Sequence, residues 1–307
     1  MNELHRPRRP NTLRGKIVND PTMTPVALPF VLIVVPTREL AIQVFFDMCD
    51  LSVGNWIQPG CLYGGTSRKD QASSLASGCD ILVATPGRLI DMLQGSYVDG
   101  VKTVSLENLS HIVWDEADEL LSLGFADQMK QILDLAMFNG YIHHWFFSSQ
   151  YQEEHTDKAK SLIDGAYLDI SFDMPEENAA IRYFAVKQIF IEVGTEQQER
   201  FDAIEKIIGN NSDTKCIVLC ETHAAVEELH LHLNTLDIPF RSTHGGLNQE
   251  RREDAMFRFK KNVVPILVST MGISGRGLNT KDVDYLIFWD MPKTLEQYKW
   301  CLGRVSR

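Results

Sequence analysis

Five short apolar runs in this 307-residue chain are each followed at once by residues able to bind or react. After residues 30–35 comes Pro36-Thr37-Arg38-Glu39-Leu40-Ala41, and after 81–84 comes Thr85-Pro86-Gly87-Arg88. After 111–114 comes Asp115-Glu116-Ala117-Asp118, and after 145–147 comes Ser148-Ser149-Gln150. After 266–269 comes Thr270, then Gly272, Gly275, Arg276 and Gly277. The chain closes on Gly303-Arg304-Val305-Ser306-Arg307. Singly, each has an ordinary use. Acids suit a helix N-terminus, Thr-Pro-Gly is a turn signal, and Arg304 and Arg307 read as solvated surface. Their placement gives them a joint use. Ligands of parallel α/β sheets bind at the carboxyl ends of the strands, where these residues fall.

The elements that must position them alternate. The run over 30–35 reads as a buried strand. Thr37 then caps a helix whose face is Leu40, Val44, Met48 and Leu51. The runs at 81–84, 111–114 and 145–147 read as further strands. A helix through Leu89 and Leu93 follows the Thr-Pro-Gly turn. The second half repeats the style. Strands are expected over 217–220, 238–243, 266–269 and 285–288. One helix is capped by Thr222 and carries Val226, Leu229, Leu233 and Leu236, and another spans 249–259. Apolar strands alternating with helices predict parallel sheets covered on both faces. The expected organisation is a loop or disordered start over 1–29, an α/β domain over 30–172, a linker over 173–180 and a second α/β domain over 181–307.

Composition sets bounds. Apolar residues make up 44% and charged residues 23% of the chain, which excludes disorder and collagen-like order. A formal charge of −11 argues against coating nucleic acid by bulk charge. Residues 1–16 are the basic exception, with Arg6, Arg8, Arg9, Arg14 and Lys16 against the single acid Glu3. They lack the apolar stretch of a signal peptide. The longest apolar run is far too short to span a membrane. The six cysteines have no zinc-ligand spacing and read as reduced thiols of an intracellular protein, cytoplasmic or nuclear.

The ordered set of polar strand ends resembles the DEAD-box family of superfamily 2 RNA helicases. Residues 36–41 resemble motif Ia, while Gly64-Gly65 and residues 85–88 resemble the two parts of motif Ib. Residues 115–118 are motif II, and Ser148-Ser149-Gln150 stands where motif III belongs. His244-Gly245-Gly246 with Gln249 and Arg252 is similar to motif IVa, 270–279 to motif V and 298–307 to motif VI. The resemblance runs from about residue 30 to the last.

It implies two RecA-like domains with ATP in the cleft between them and RNA across both. Asp115 would hold Mg²⁺ through water, and Glu116 would position and deprotonate the attacking water. Arg304 and Arg307 would stabilise charge on the transferring γ-phosphoryl group. Arg276 and Asn279 would face the nucleotide. Asp118, with Ser148 and Gln150, would couple the ATP and RNA sites. RNA contacts would come from Thr37, Arg38, Gly65, Thr85 and Arg88 in the first domain, and from Arg252, Thr270 and Gly272 in the second. They would go to sugar and phosphate, giving sequence-independent binding of single strands or short duplexes. Protein partners on the second domain are a further expectation, and a membrane is not.

The sequence also departs from that pattern. No Gly-x-x-x-x-Gly-Lys-Ser/Thr occurs in the 307 residues, so the first domain is expected to lack its P-loop strand and helix. The expectation is a chain cut before motif Ia and after motif VI, with an unpaired sheet edge and an uncovered apolar face. Gln150 replaces Thr, Met271 and Asn279 replace Asp, and Trp300-Cys301 replaces His-Arg. The implied function is RNA-stimulated ATP hydrolysis coupled to local unwinding. The alternative is an ATPase-deficient, RNA-binding or scaffolding protein on the same frame.

Overall fold

A computed structural model of the chain describes residues 26–94, 103–122, 124–136, 142–148, 153–163, 166–170, 186–194, 196–209, 214–236, 238–274 and 283–302. They divide into two compact units, residues 1–168 and 169–307. The expected linker over 173–180 lies outside the described residues.

In the first unit, β1 (Val31–Val34), β2 (Pro59–Leu62), β3 (Ile81–Ala84), β4 (His111–Trp114) and β5 (His143–Phe146) form one parallel sheet in the order β2-β3-β1-β4-β5. Strand β1 is central, with Val31 in register with both Ile81 and His111. Side chains alternate between faces along a strand. Leu32, Val34, Leu82, Ala84, Ile112 and Trp114 therefore share the larger core with Leu89, Met92, Leu120, Met129 and Ile132 from the covering helices. On the other face, Val35 and Val83 pack with Leu40 and Ala41 of α1 (Arg38–Leu51). Val44 and Met48 of α1 join that cluster, but Leu51, expected on the same face, is 72% exposed at the helix end.

Two features of this sheet escaped the sequence pattern. Strand β2 begins on a proline and holds a glycine, residues that argue against a strand except at an edge, and β2 is an edge. Gly60 is required there, since an added Cβ would stand 2.5 Å from Leu75 Cδ2 and 2.7 Å from Cys79 Sγ. The expected loop over 1–29 also ends packed: Ala27 is fully buried and bridges Val104.

The opposite edge is β5. Parallel sheets are normally covered on both faces, yet His143 and Trp145 are exposed, Trp145 at 49%. The His143 ring stacks on His111 of β4, and the Trp145 indole donates to His111 Nδ1 at 3.3 Å.

The second unit is a four-stranded parallel sheet in the order β7-β8-β6-β9. Its strands are β6 (Cys216–Cys220), β7 (Phe240–Thr243), β8 (Ile266–Thr270) and β9 (Tyr285–Phe288). All five residues of β6 are buried because both faces are covered. Val218 and Cys220 meet Val226, Leu229 and Leu233, whereas Ile217 and Leu219 meet Ala255, Met256 and Phe259. Thr222 caps its helix as the sequence predicts, accepting the Ala225 N–H at 3.1 Å. Among the described residues no helix is long and apolar enough to cross a membrane.

Candidate functional site

The carboxyl end of β4 carries the acids. Trp114 is fully buried and fixes the strand, so Asp115 and Glu116 emerge at its end half-buried. Glu116 adopts φ +50°, a left-handed conformation that an L side chain rarely holds. That turn brings the Glu116 N–H onto Asp115 Oδ1 at 3.0 Å. It also frees the Glu116 carbonyl to accept from Glu119 and Leu120 N–H, opening α4 (Ala117–Ser122). Backbone strain of this kind clusters at functional sites, where the surrounding hydrogen bonds hold it.

Burial raises the Asp115 carboxyl above its ordinary pKa. The Glu116 N–H opposes that shift, and the neighbouring Asp118 carboxylate adds to it. A carboxylate short of positive charge suits a hard cation, and Mg²⁺ keeps much of its water when bound by one carboxylate. Among the described residues no three His, Cys, Asp or Glu side chains cluster as a metal cage. An ion at Asp115 would take its other ligands from water or a bound phosphate.

The next strand is tied to these acids. The Phe147 carbonyl accepts the Ala117 N–H at 2.9 Å, and the Ser148 hydroxyl donates to Asp118 Oδ1 at 2.6 Å. The residues expected to couple two sites thus touch, apart from Gln150, which lies outside the described residues. Arg276, Asn279, Arg304 and Arg307 lie outside them too.

A second group gathers at the carboxyl ends of β1, β2 and β3. Thr37 caps α1, its hydroxyl oxygen accepting the Leu40 N–H at 3.3 Å. Arg38 follows, and its guanidinium lies against Gly64: a Cβ there would stand 3.1 Å from Arg38 Nη2. Gly65 takes φ +86° in the turn after β2, which glycine adopts without strain. Thr85 precedes α3 (Pro86–Leu93) without using its side chain as a cap. Arg88, in the first turn of α3, is buried, with Nη1 2.6 Å from Gln71 Oε1 and Nη2 3.0 Å from the Thr66 carbonyl. Thr37, Arg38, Gly65, Thr85 and Arg88 are thereby brought to one end of the first sheet. Sequence reasoning missed Gln71 of α2 (Arg68–Leu75). A polar residue in a mostly polar helix gives no sign of burial, and the only available signal is its spacing after the Gly-Gly turn.

In the second unit, Thr270 ends β8 and is buried, while Gly272 is exposed in the short helix that follows. Arg252 pairs with Gln249 on the same helix. His244 Nδ1 accepts the Gly246 N–H at 3.2 Å, which puts the proton of the neutral ring on Nε2, 2.6 Å from Glu227 Oε1. The imidazole therefore ties the Gly-Gly turn after β7 to the neighbouring helix, a link that sequence reasoning also missed.

Comparisons with known proteins follow the same division. The profile of the DEAD/DEAH box helicase family matches residues 18–152, and that of the helicase conserved C-terminal domain matches residues 199–307. The chain is 29% identical over 304 residues to the ATP-dependent RNA helicase vasa of Drosophila melanogaster, covering 95% of this chain and 42% of that protein. It is 30% identical over 288 residues to the ATP-dependent RNA helicase dbp2 of Emericella nidulans, covering 94% of this chain and 49% of that one. The chain thus spans less than half the length of these relatives. Among solved structures it is similar in fold to S. cerevisiae Dbp5 bound to RNA and ADP BeF3, with a TM-score of 0.72 at 19% identity, over 91% of this chain and 68% of that one.

Proposed function

Since this chain belongs to the DEAD-box family of superfamily 2 helicases, we propose that it is the core of an ATP-dependent RNA helicase, binding RNA by its backbone and hydrolysing ATP in response. The observation that carries this reading is the joined cluster at the ends of β4 and β5. Asp115 and Glu116 are presented on a strained turn, and Asp118 is tied to Ser148 at 2.6 Å. In this reading Asp115 would hold Mg²⁺ through water, and a bound ion would supply positive charge for the phosphoryl oxygens. Glu116 orients the attacking water and takes its proton. Arg304 and Arg307 stabilise the γ-phosphoryl charge, with Arg276 and Asn279 facing the nucleotide. Asp118, Ser148 and Gln150 pass the nucleotide state to the RNA side.

RNA contacts in this reading come from Thr37, Arg38, Gly65, Thr85, Arg88, Arg252, Thr270 and Gly272. Glycines and threonines beside arginines suit sugar and phosphate, not base edges. An intracellular setting belongs to the same proposal and is supported by the buried thiols Cys216 and Cys220.

A second reading has its own support. No P-loop sequence lies within residues 1–307, and the P-loop amides and lysine are what cradle a triphosphate. The second reading is an RNA-binding protein on a helicase frame that does not hydrolyse ATP. Phosphate release from ATP, with and without RNA, separates the two. RNA-stimulated release that Glu116→Gln abolishes supports the helicase. RNA binding indifferent to ATP, with no release, supports the second reading.

A further inference from the structure

Gln71 makes three bonds with one amide. Its Nε2 donates to the Tyr63 carbonyl at 3.0 Å and to the Thr66 hydroxyl at 2.8 Å, and its Oε1 accepts from Arg88 Nη1 at 2.6 Å. Both donors and the acceptor are used, so only one orientation of the amide fits. Reversed, it would set an NH₂ against a guanidinium. The Gln71 and Thr66 carbonyls that accept from Arg88 are neutral. The acid nearby, Asp91, stands 4.0 Å from Arg88 Nε and is closer to Arg68, at 2.9 Å. Arg88 reaches across to the Thr66 carbonyl as well, so the Gly64–Thr66 turn is gripped from both sides.

We infer that Gln71 is the positioning residue of the first unit's RNA-backbone site, resting on the RNA reading above. It locks Arg88 and the turn carrying Gly65 into one arrangement and itself sets no charge against the guanidinium. A carboxylate at 71 would hold Arg88 equally closely and cancel its charge. It would also face the Tyr63 carbonyl with no proton to donate. An apolar side chain would release both partners. The neutral amide satisfies both demands, which accounts for a buried glutamine in a helix that buries little else beside Leu75.

The test is a double-mutant cycle read by binding of a short fluorescent oligouridylate to the full chain. Gln71→Met is expected to weaken binding about tenfold, the scale of one charge-assisted hydrogen bond. In an Arg88→Met background the same change is expected to cost clearly less, since only the bonds to Tyr63 and Thr66 remain to be lost. Gln71→Glu keeps an acceptor for Arg88 but loses both donated bonds, so it is expected to fold with a lowered unfolding midpoint and to make the dependence of log affinity on log salt shallower by about 0.7, one phosphate contact on a single strand. This second variant carries the test if Gln71→Met does not fold. Equal losses from Gln71→Met in both backgrounds, or an unchanged salt slope in Gln71→Glu, would overturn the inference while leaving the RNA reading intact. Absence of binding by the wild type would overturn the RNA reading itself, and this inference with it.

Discussion

The Ser148 hydroxyl donates to Asp118 Oδ1 at 2.6 Å, joining residues thirty positions apart at the ends of adjacent strands. A hydrogen bond to a charged group contributes roughly 1.5–3 kcal/mol. Ser148→Ala should therefore lower the unfolding free energy of the first unit by about that amount, read as a lower urea midpoint at constant slope. An unchanged midpoint would show that the bond does not form in solution.

Asp115 supplies a pH signature. Its folded-state pKa is raised, chiefly by burial, so ionisation costs stability. The cost is absent below the ordinary carboxylate range and grows as pH rises through the raised value. Asp115→Asn should thus unfold at a higher temperature than wild type at neutral pH, and the advantage should vanish on acidification. Added Mg²⁺ should raise the wild-type transition and leave that of Asp115→Asn in place.

Glu116 supplies a backbone test. Glu116→Gly and Glu116→Ala both remove the carboxylate, and both should abolish any ATP hydrolysis. Only glycine relieves the φ of +50°. The left-handed conformation costs an L residue roughly 1–2 kcal/mol, so Glu116→Gly should be the more stable variant by about 1 kcal/mol. Equal urea midpoints would mean that the turn is not held.

Close packing at the far edge gives another. In Gly60→Ala the new methyl would meet Leu75 and Cys79 at distances that require both to shift. Overpacking of this kind costs typically 1–3 kcal/mol, measurable by thermal or urea unfolding. A neutral substitution would place β2 farther from α2 than described.

Much of this site was legible in the sequence because strand ends are marked twice, by the end of an apolar run and by the start of a cap. Thr37 is placed that way, Thr85 and Asp115 by the end of their apolar runs alone, and the bounds of His111–Trp114 are legible to the residue. Strand β2 was not legible, since Pro59 and Gly60 deny a strand by propensity while an edge position allows both. Gln71 and His244 were not legible as positioning groups either. Their importance lies in bonds to Arg88 and to Glu227, which only the fold brings near. The exposure of Trp145 on β5 depends on which helices cover the sheet. Local periodicity carries no such information.

The most direct measurement compares binding of one strand sequence, made as RNA and as DNA, to the full chain across a range of salt concentrations. A backbone-reading helicase core predicts clear preference for RNA and indifference to base sequence. It also predicts a shallow salt slope reflecting few phosphate contacts, as a chain of net charge −11 would make. Equal affinity for DNA, marked sequence preference, or a slope implying about ten neutralised phosphates would contradict it.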